Sequence, residues 1–262
     1  MRYLLTLYRD ESLLADASPE ESQRRMDEYT ALSREWLDKG LMLSGEGLDA
    51  SSTATTVRVR DGERLITDGP FAESKEQLGG FYVVDCGGID EATELAAQIP
   101  LARFGAVEVR PVMNYEAMGA EPPVWRSDAR GKKYALTLWG DEGVWEDWSP
   151  EQLQQEMGRW EEYDRDASAA GVLLGGEGLE PSTTAKTVRV RVGERLVSDG
   201  PFAETKEQLG GFYLLDCKDL DQAIEWAAKV PVPDGEPVEI RPVMDYAGTS
   251  YEEIERTTEA RS

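Results

Sequence analysis

The sequence predicts an α+β protein made of two ferredoxin-like β-α-β-β-α-β domains packed sheet to sheet. Three observations carry this: an internal duplication, an element order common to both copies, and a sheet that would have helices on only one face in either copy alone. A single offset of 131 aligns residues 3–115 with 134–246 without a gap, giving 60 identities in 113 positions. A period this long means two whole domains rather than a solenoid of short repeats. A unit of that size can also bury an ordinary core without staples. The boundaries read from this are a first domain at 1–116, a linker at 117–132, a second domain at 133–247 and a polar tail at 248–262. The tail is expected to be disordered or a short helix.

The elements follow in order. Residues 2–8 (RYLLTLY) and 133–139 (KYALTLW) read as first strands. Ser18-Pro19-Glu20-Glu21 places Ser at an N-cap, Pro in the first turn and Glu three residues on, a capping box that Ser149-Pro150-Glu151-Gln152 repeats. Met26, Tyr29, Leu32, Trp36 and Leu37 then recur at helical spacing, as do Leu153, Met157, Trp160 and Ala167. Gly40 and Gly171 are helix stops. LMLSGEGL and VLLGGEGL read as short strands ending in Gly-Glu-Gly turns. TVRVRDGERLITDGP reads as a hairpin turning at Asp61-Gly62. GGFYVVDC is an apolar strand, Asp90 caps a second helix over 91–98 that Pro100 ends, and VEVRPVMNY is the last strand. This is a split βαβ unit with an added hairpin. Its bare sheet face needs a cover, and the second copy is the economical one.

Composition narrows the function. The net charge of −24 argues against a nucleic-acid partner. No apolar run approaches the roughly 18 residues of a membrane span, and the N-terminus lacks the long apolar core of a signal peptide, so a cytoplasmic location is expected. Cys86 and Cys217 occupy equivalent places after apolar strands and read as small buried residues rather than a disulfide. The chain has no histidine. That removes Ser–His–Asp and Cys–His catalysis and every His-dependent metal site. No metal and no cofactor are expected.

The identities are uneven. Residues 68–82 (DGPFAESKEQLGGFY) match 199–213 at 14 of 15 positions, whereas 20–39 match 151–170 at only 4 of 20. The well-kept loop gathers Asp68, Glu73, Lys75 and Glu76, with Asp199, Glu204, Lys206 and Glu207 in the second copy. A carboxylate beside a lysine near an apolar cleft can serve as a general acid or base, which makes Asp68, Asp199, Lys75 and Lys206 the catalytic candidates. Phe71 and Phe202 could wall a cavity beside Glu73 and Glu204. The same residues also make good turn chemistry, and the Gly-Gly pair could be a bulge, so structural, binding and catalytic readings all stand. Glu46 and Glu177, in the Gly-Glu-Gly turns, are further ligand-binding candidates. So are Arg110 and Arg241 on the last strands, where an inward Arg needs a carboxylate or an anionic ligand. The second copy is also richer in tryptophan, with Trp139, Trp145, Trp148, Trp160 and Trp226 against Trp36 alone. Trp145 and Trp148 could lid one pocket.

The long motif DGPFAESKEQLGGFY, with GEGL and TVRVRDG before it and EVRPVMNY after it, resembles the DGPF group of the YCII-related family over nearly the whole of both copies. The resemblance implies a dimeric α+β barrel, here formed as an intramolecular pseudo-dimer. Characterised relatives include small lyase-type enzymes, among them a dehydrochlorinase of chlorinated aromatic breakdown, in which a His on the first helix pairs with an Asp. That His position falls on Tyr29 and Trp160 here, so the dyad is absent. Both residues remain as ligand-binding candidates. Many DGPF proteins are encoded beside extracytoplasmic-function sigma factors, which implies a regulated setting rather than a contact.

Three functions follow: a pseudo-dimer binding a small metabolite in the barrel cavity, a cofactor-free lyase or isomerase using Asp, Glu and Lys, or a regulatory protein-interaction module. Further homodimerisation of the chain is compatible with each.

Overall fold

A computed structural model describes every residue except 16, 72–74, 116, 118–122, 124, 127–128, 146–147, 204, 253 and 255–262, and the side chains of 14, 15, 145 and 150. The first copy runs β1 (Arg2–Asp10), α1 (Ser12–Ala15), α2 (Pro19–Asp38), β2 (Met42–Gly47), β3 (Thr55–Arg60), β4 (Glu63–Asp68), β5 (Glu76–Asp85), α3 (Ile89–Gln98) and β6 (Ala106–Pro111). The second repeats it as β7 (Lys132–Gly140), α4 (Pro150–Ala169), β8 (Leu173–Gly178), β9 (Lys186–Arg191), β10 (Glu194–Asp199), β11 (Gln208–Cys217), α5 (Leu220–Ala227) and β12 (Val238–Pro242).

Local chemistry fixes these elements as the sequence implies. Both capping boxes form: the Ser18 and Ser149 side chains accept from the amides of Glu21 and Gln152, which reach back to the cap amides. Gly40 and Gly171 sit at φ +70° and +73°, one residue past the C-caps. Asp61 and Gly62 both have positive φ, as a two-residue turn matched to strand twist requires. Gly79 and Gly210 are the extra residues where the register of β5 and β11 shifts, so the Gly-Gly pair is a bulge. One cap differs from expectation. Helix α3 starts at Ile89 with Gly88 as N-cap and Asp90 in its first turn, whereas Asp219, the counterpart of Gly88, does cap α5 and accepts from Gln222. A glycine has no side chain to accept with, so the two caps diverge.

The sheets hold the main surprise. Each has six strands, in the orders β10-β9-β6-β1-β5-β2 and β4-β3-β12-β7-β11-β8. The four-strand ferredoxin core of each copy is therefore extended by the hairpin of the other. Val188 pairs with Val107, and Val57 pairs with Val238. The opposite seams close through the isolated bridges Leu48–Val243 and Val112–Leu179. The result is two ferredoxin-like units packed sheet to sheet as one α+β barrel. The hairpin exchange covers an edge that would otherwise expose unpaired backbone groups.

The strand registers sort the side chains. Thr6, Leu4 and Tyr8 share a face of the sheet with Phe81, Glu108, Arg110 and Glu46, and this face points into the barrel. Phe81 meets Phe212 at its centre, with ring centroids 4.6 Å apart. The other face carries Leu5, Leu7, Val107, Tyr82 and Val84 under the helices. Trp36 and Leu37 are buried there, with Met26, Tyr29 and Leu32 partly so. The α4 stripe is rotated from the expected one: Leu153 is exposed, and Tyr163 and Ala167 make the core contact with Trp160 packed beside them. Ala167 stands where Trp36 does, and Trp226 replaces the smaller Leu95, so bulk moves from one helix to the other while the layer stays filled. Cys86 and Cys217 are buried and free. Burial pushes both thiols up, Cys217 to about 12. Among the described residues no helix is long and apolar enough to cross a membrane.

Candidate functional site

The inward charges are largely spent on joining the copies. Arg110 donates from Nε to Glu108 (3.0 Å) and from Nη1 to the Leu209 carbonyl of the other sheet (3.0 Å), with Glu142 3.6 Å away. Arg241 mirrors it, donating to Glu239 (3.4 Å), to the Leu78 carbonyl (3.3 Å) and to the Asp49 carbonyl. Burial raises the Glu239 carboxyl and the Arg241 charge opposes that rise. Arg2 reaches across to Glu177 (2.9 Å), and Lys133 to Glu46 (2.7 Å). These are largely buried cross-sheet ion pairs. Removing one partner of such a pair costs about 3–5 kcal/mol.

The DGPF loops complete the same junction. The Phe71 amide donates to Glu239 (3.1 Å) and the Phe202 amide to Glu108 (2.8 Å). The Phe71 ring stacks on Trp139 at 4.6 Å, and Phe202 on Tyr8 at 4.5 Å. Gly69 and Gly200 hold φ near +93° and +92°, and their carbonyls accept from Thr56 and Thr187. Each loop thus plugs into the opposite copy's last strand. Asp68 and Asp199 lie outside this contact, exposed at the ends of β4 and β10, with Asp199 paired to Lys186. Lys75 (84% exposed) pairs with Asp10 at 3.4 Å, and Lys206 with Asp141 at 3.5 Å. Among the described residues no ion pair joins Asp68 to Lys75 or Asp199 to Lys206, the pairs expected within each copy, or any of them to Arg110 or Arg241. Glu73, Glu204 and the side chain of Trp145 lie outside the described residues.

What the copies do not share is the cleft between the long helix and the sheet. In the first copy the chain fills it. Residues 247–252 and 254 fold back, burying Tyr251 and Ile254 at 4% and 2% exposure, so this part of the tail is docked rather than disordered. Ser33 bonds both the Tyr82 hydroxyl (3.2 Å) and the Tyr251 hydroxyl (3.1 Å). The Tyr251 ring packs on Tyr246 at 4.6 Å, and Ser250 ties to Thr30 and Asp27.

In the second copy Ser33 is replaced by Asp164. The Tyr213 hydroxyl donates to it (2.7 Å), and desolvation raises its carboxyl above the ordinary 3.8. Trp160 stacks on Tyr213 at 6.4 Å and Tyr163 packs tilted against it at 4.9 Å, and the buried Tyr163 hydroxyl has no hydrogen-bond partner among the described residues. Beside them lies a half-open cavity of about 260 Å³ lined by Pro123, Arg126, Asp164, Arg165, Ser168 and Leu173. The linker forms one wall. The Arg126 amide donates to the Leu174 carbonyl (2.6 Å). Trp125 lies over Gly175, where a Cβ would come within 2.4 Å of the indole, and its Nε1 donates to Glu177 (3.0 Å). Burial raises the Glu177 carboxyl, and Trp125 and Arg2 counter that rise. Sequence reasoning named Trp160 and Glu177 but missed Asp164, Tyr213 and Arg126. The available signal was the divergence of the two copies at 33/164 and 44/175.

A duplicated ferredoxin-like barrel with exchanged hairpins is the class that the fold defines, with a helix–sheet cavity in its second copy among the described residues. Residues 1–116 and 133–247 each match the model of the YCII-related domain. The chain belongs to the YCII-related domain family, in tandem duplicated form. It is 39% identical over 118 residues to an uncharacterised protein of Rhizobium meliloti (strain 1021), a stretch spanning 44% of this chain and 95% of that relative. Among solved structures it is similar in outline to a putative chlorite dismutase (TM-score 0.43, 9% identity, 98% of each chain). A heme-binding protein from Thermus thermophilus is similar at TM-score 0.44 and 14% identity, over 99% of this chain and 94% of that one. Neither likeness is close enough to carry a ligand across.

Proposed function

We propose that this chain binds a small organic carboxylate in the second-copy cleft. The observation that supports the reading is the asymmetry itself: the chain fills the first of two equivalent clefts with its own tyrosine, whereas among the described residues the second keeps a cavity beside a part-buried Asp–Tyr pair. Arg126 and Arg165 on the lining supply positive charge for a carboxylate, and Leu173 and Pro123 supply apolar walls. Asp164, shifted toward its protonated form, donates to or accepts from the remainder of the ligand. The cavity is smaller than a typical drug-sized site, which restricts occupants to small metabolites.

The test is titration with benzoate and succinate, read by tryptophan fluorescence with Trp160→Phe as control. Saturable quenching that Arg126→Ala weakens and Asp68→Asn leaves alone supports the site. Equal binding by Arg126→Ala and Asp164→Ala variants removes it. A second reading, proton transfer as in a lyase or isomerase, is favoured by the Asp164–Tyr213 hydrogen bond. It requires that Asp164→Asn abolish turnover while leaving affinity within about threefold. Catalysis by Asp68, Asp199, Lys75 and Lys206 is a separate proposal. It gains no support from their exposed positions and is tested by Asp68→Asn with Asp199→Asn on the same substrates.

A further inference from the structure

Arg9, at the end of β1, has no carboxylate partner among the described residues. Its guanidinium lies over Gly79, within about 3.1 Å of where a Cβ would stand, and its Nε is buried with no hydrogen-bond partner. A second buried guanidinium Nε, that of Arg241, is also unpartnered, and Arg241 binds the carbonyl of Leu78, the residue before Gly79. Buried donors are nearly always satisfied, and an orphan on a cation is the costliest kind.

The ionisable groups that bear on Arg9 are Glu11, Arg241 and Arg25, with Tyr29, whose phenol burial keeps neutral. The Arg25 guanidinium sits over the Phe104 ring at 5.8 Å. The neighbouring carboxylates are already engaged. Glu11 accepts from the Ser51 amide (2.9 Å) and hydroxyl (2.7 Å), and Glu239 is shared between Arg241 and the Phe71 amide. Among the described residues, three guanidinium groups therefore face two occupied carboxylates. The second copy keeps the Arg110, Glu142 and Glu108 equivalents of Arg241, Glu11 and Glu239 but lacks the other two cations: its equivalents of Arg9, Arg25 and Tyr29 are Gly140, Glu156 and Trp160, and the Glu236 carboxylate lies over Gly140.

We infer that the first copy carries a small-oxyanion site in which Arg9 and Arg25, backed by Arg241 and Tyr29, hold a carboxylate or phosphate group. It is separate from the second-copy cleft and does not depend on it. The Arg9 side chain is partly exposed while its Nε is buried, so an ion would approach along the exposed part of the side chain and enter the layer to reach the Nε. Bidentate Arg–oxyanion geometry would satisfy the unpartnered Nε and offset the repulsion among the three cations.

The test follows the arginine Nε–H resonances by NMR while the full chain is titrated with phosphate, acetate or chloride at matched ionic strength. The expected result is a saturable shift of the Arg9 Nε–H with phosphate or acetate and none with chloride, the stronger of the two naming the ligand chemistry. Arg25→Glu, which installs the second copy's residue, should weaken binding roughly tenfold or more, as loss of a charge-assisted hydrogen bond does. Asp164→Asn should leave it unchanged. Shifts that are linear and equal in chloride, or binding that Arg25→Glu does not alter, would overturn the site. Arg9→Gln serves as a second variant, with its melting curve checking the fold.

Discussion

The two helix–sheet clefts began as copies of one another and now differ in what covers them. Ser33, Tyr82 and Tyr251 make a closed hydroxyl cluster in the first, whereas in the second Asp164, bonded to Tyr213, lines a cavity among the described residues. The tail and the linker do equivalent work. Each leaves the last strand of one copy and crosses the edge of the other, with Met244 N–H on the Gly47 carbonyl and Met113 N–H on the Gly178 carbonyl. The Tyr246 and Tyr115 hydroxyls then accept from the Gly47 and Gly178 amides. The difference teaches that duplication within one chain frees the halves to specialise: two identical subunits could not fill one cleft and leave the other open.

That comparison can be broken most forcefully at the tail. Tyr251→Ala should cost about 3–5 kcal/mol, because a buried aromatic is removed and Ser33 loses a partner. It should also make the first cleft accept the ligands the second does. A urea midpoint unchanged from wild type would mean that the tail does not seal the cleft. The linker should respond somewhat less: Trp125→Ala should cost about 3 kcal/mol and weaken binding at the second cleft, read by the same titration. Smaller again is Gly175→Ser, which restores the Ser44 of the first copy. Its Cβ would collide with the indole, for about 1–3 kcal/mol, while the reverse change Ser44→Gly should cost about 1 kcal/mol or less. Equal effects would show that the indole is not held there.

The smallest effect depends on pH. The Asp164 carboxyl is raised by burial, so its ionised form is disfavoured in the folded state at neutral pH. That cost is relieved as pH falls through the raised folded value, and it is gone below the ordinary 3.8, where both states are protonated. Asp164→Asn keeps an acceptor for Tyr213 and should therefore be slightly more stable than wild type at neutral pH, by about 1 kcal/mol or less. The two should converge at about pH 3. A gap that widens on acidification would contradict the assignment.

Much of the fold was legible because its causes are local. The capping boxes, the Asp61-Gly62 turn, the Gly79 bulge and the alternation in β3 are written in neighbouring residues, and each formed where its chemistry placed it. The site was less legible. Asp68 and Lys75 looked reactive because they are close in sequence, yet a loop carries them to solvent. Asp164, Tyr213 and Arg126 come from a helix, a strand and the linker, and no local pattern joins them. Glu46, Glu177, Arg110 and Arg241 all reach partners on the opposite sheet, which their own strands do not name.

The sequence by itself determined that there are two copies, that each is a split βαβ unit with a hairpin, and that the chain holds no histidine. Periodicity, caps and turns decide such things over a few residues. The tertiary structure alone decided that each hairpin joins the other copy's sheet, that the tail closes one cleft, and that the linker walls the other. The physical reason is that a hairpin or an apolar segment has the same local pattern whichever edge it pairs with. The choice is made by the long-range partner that buries the most surface and leaves the fewest backbone groups unpaired.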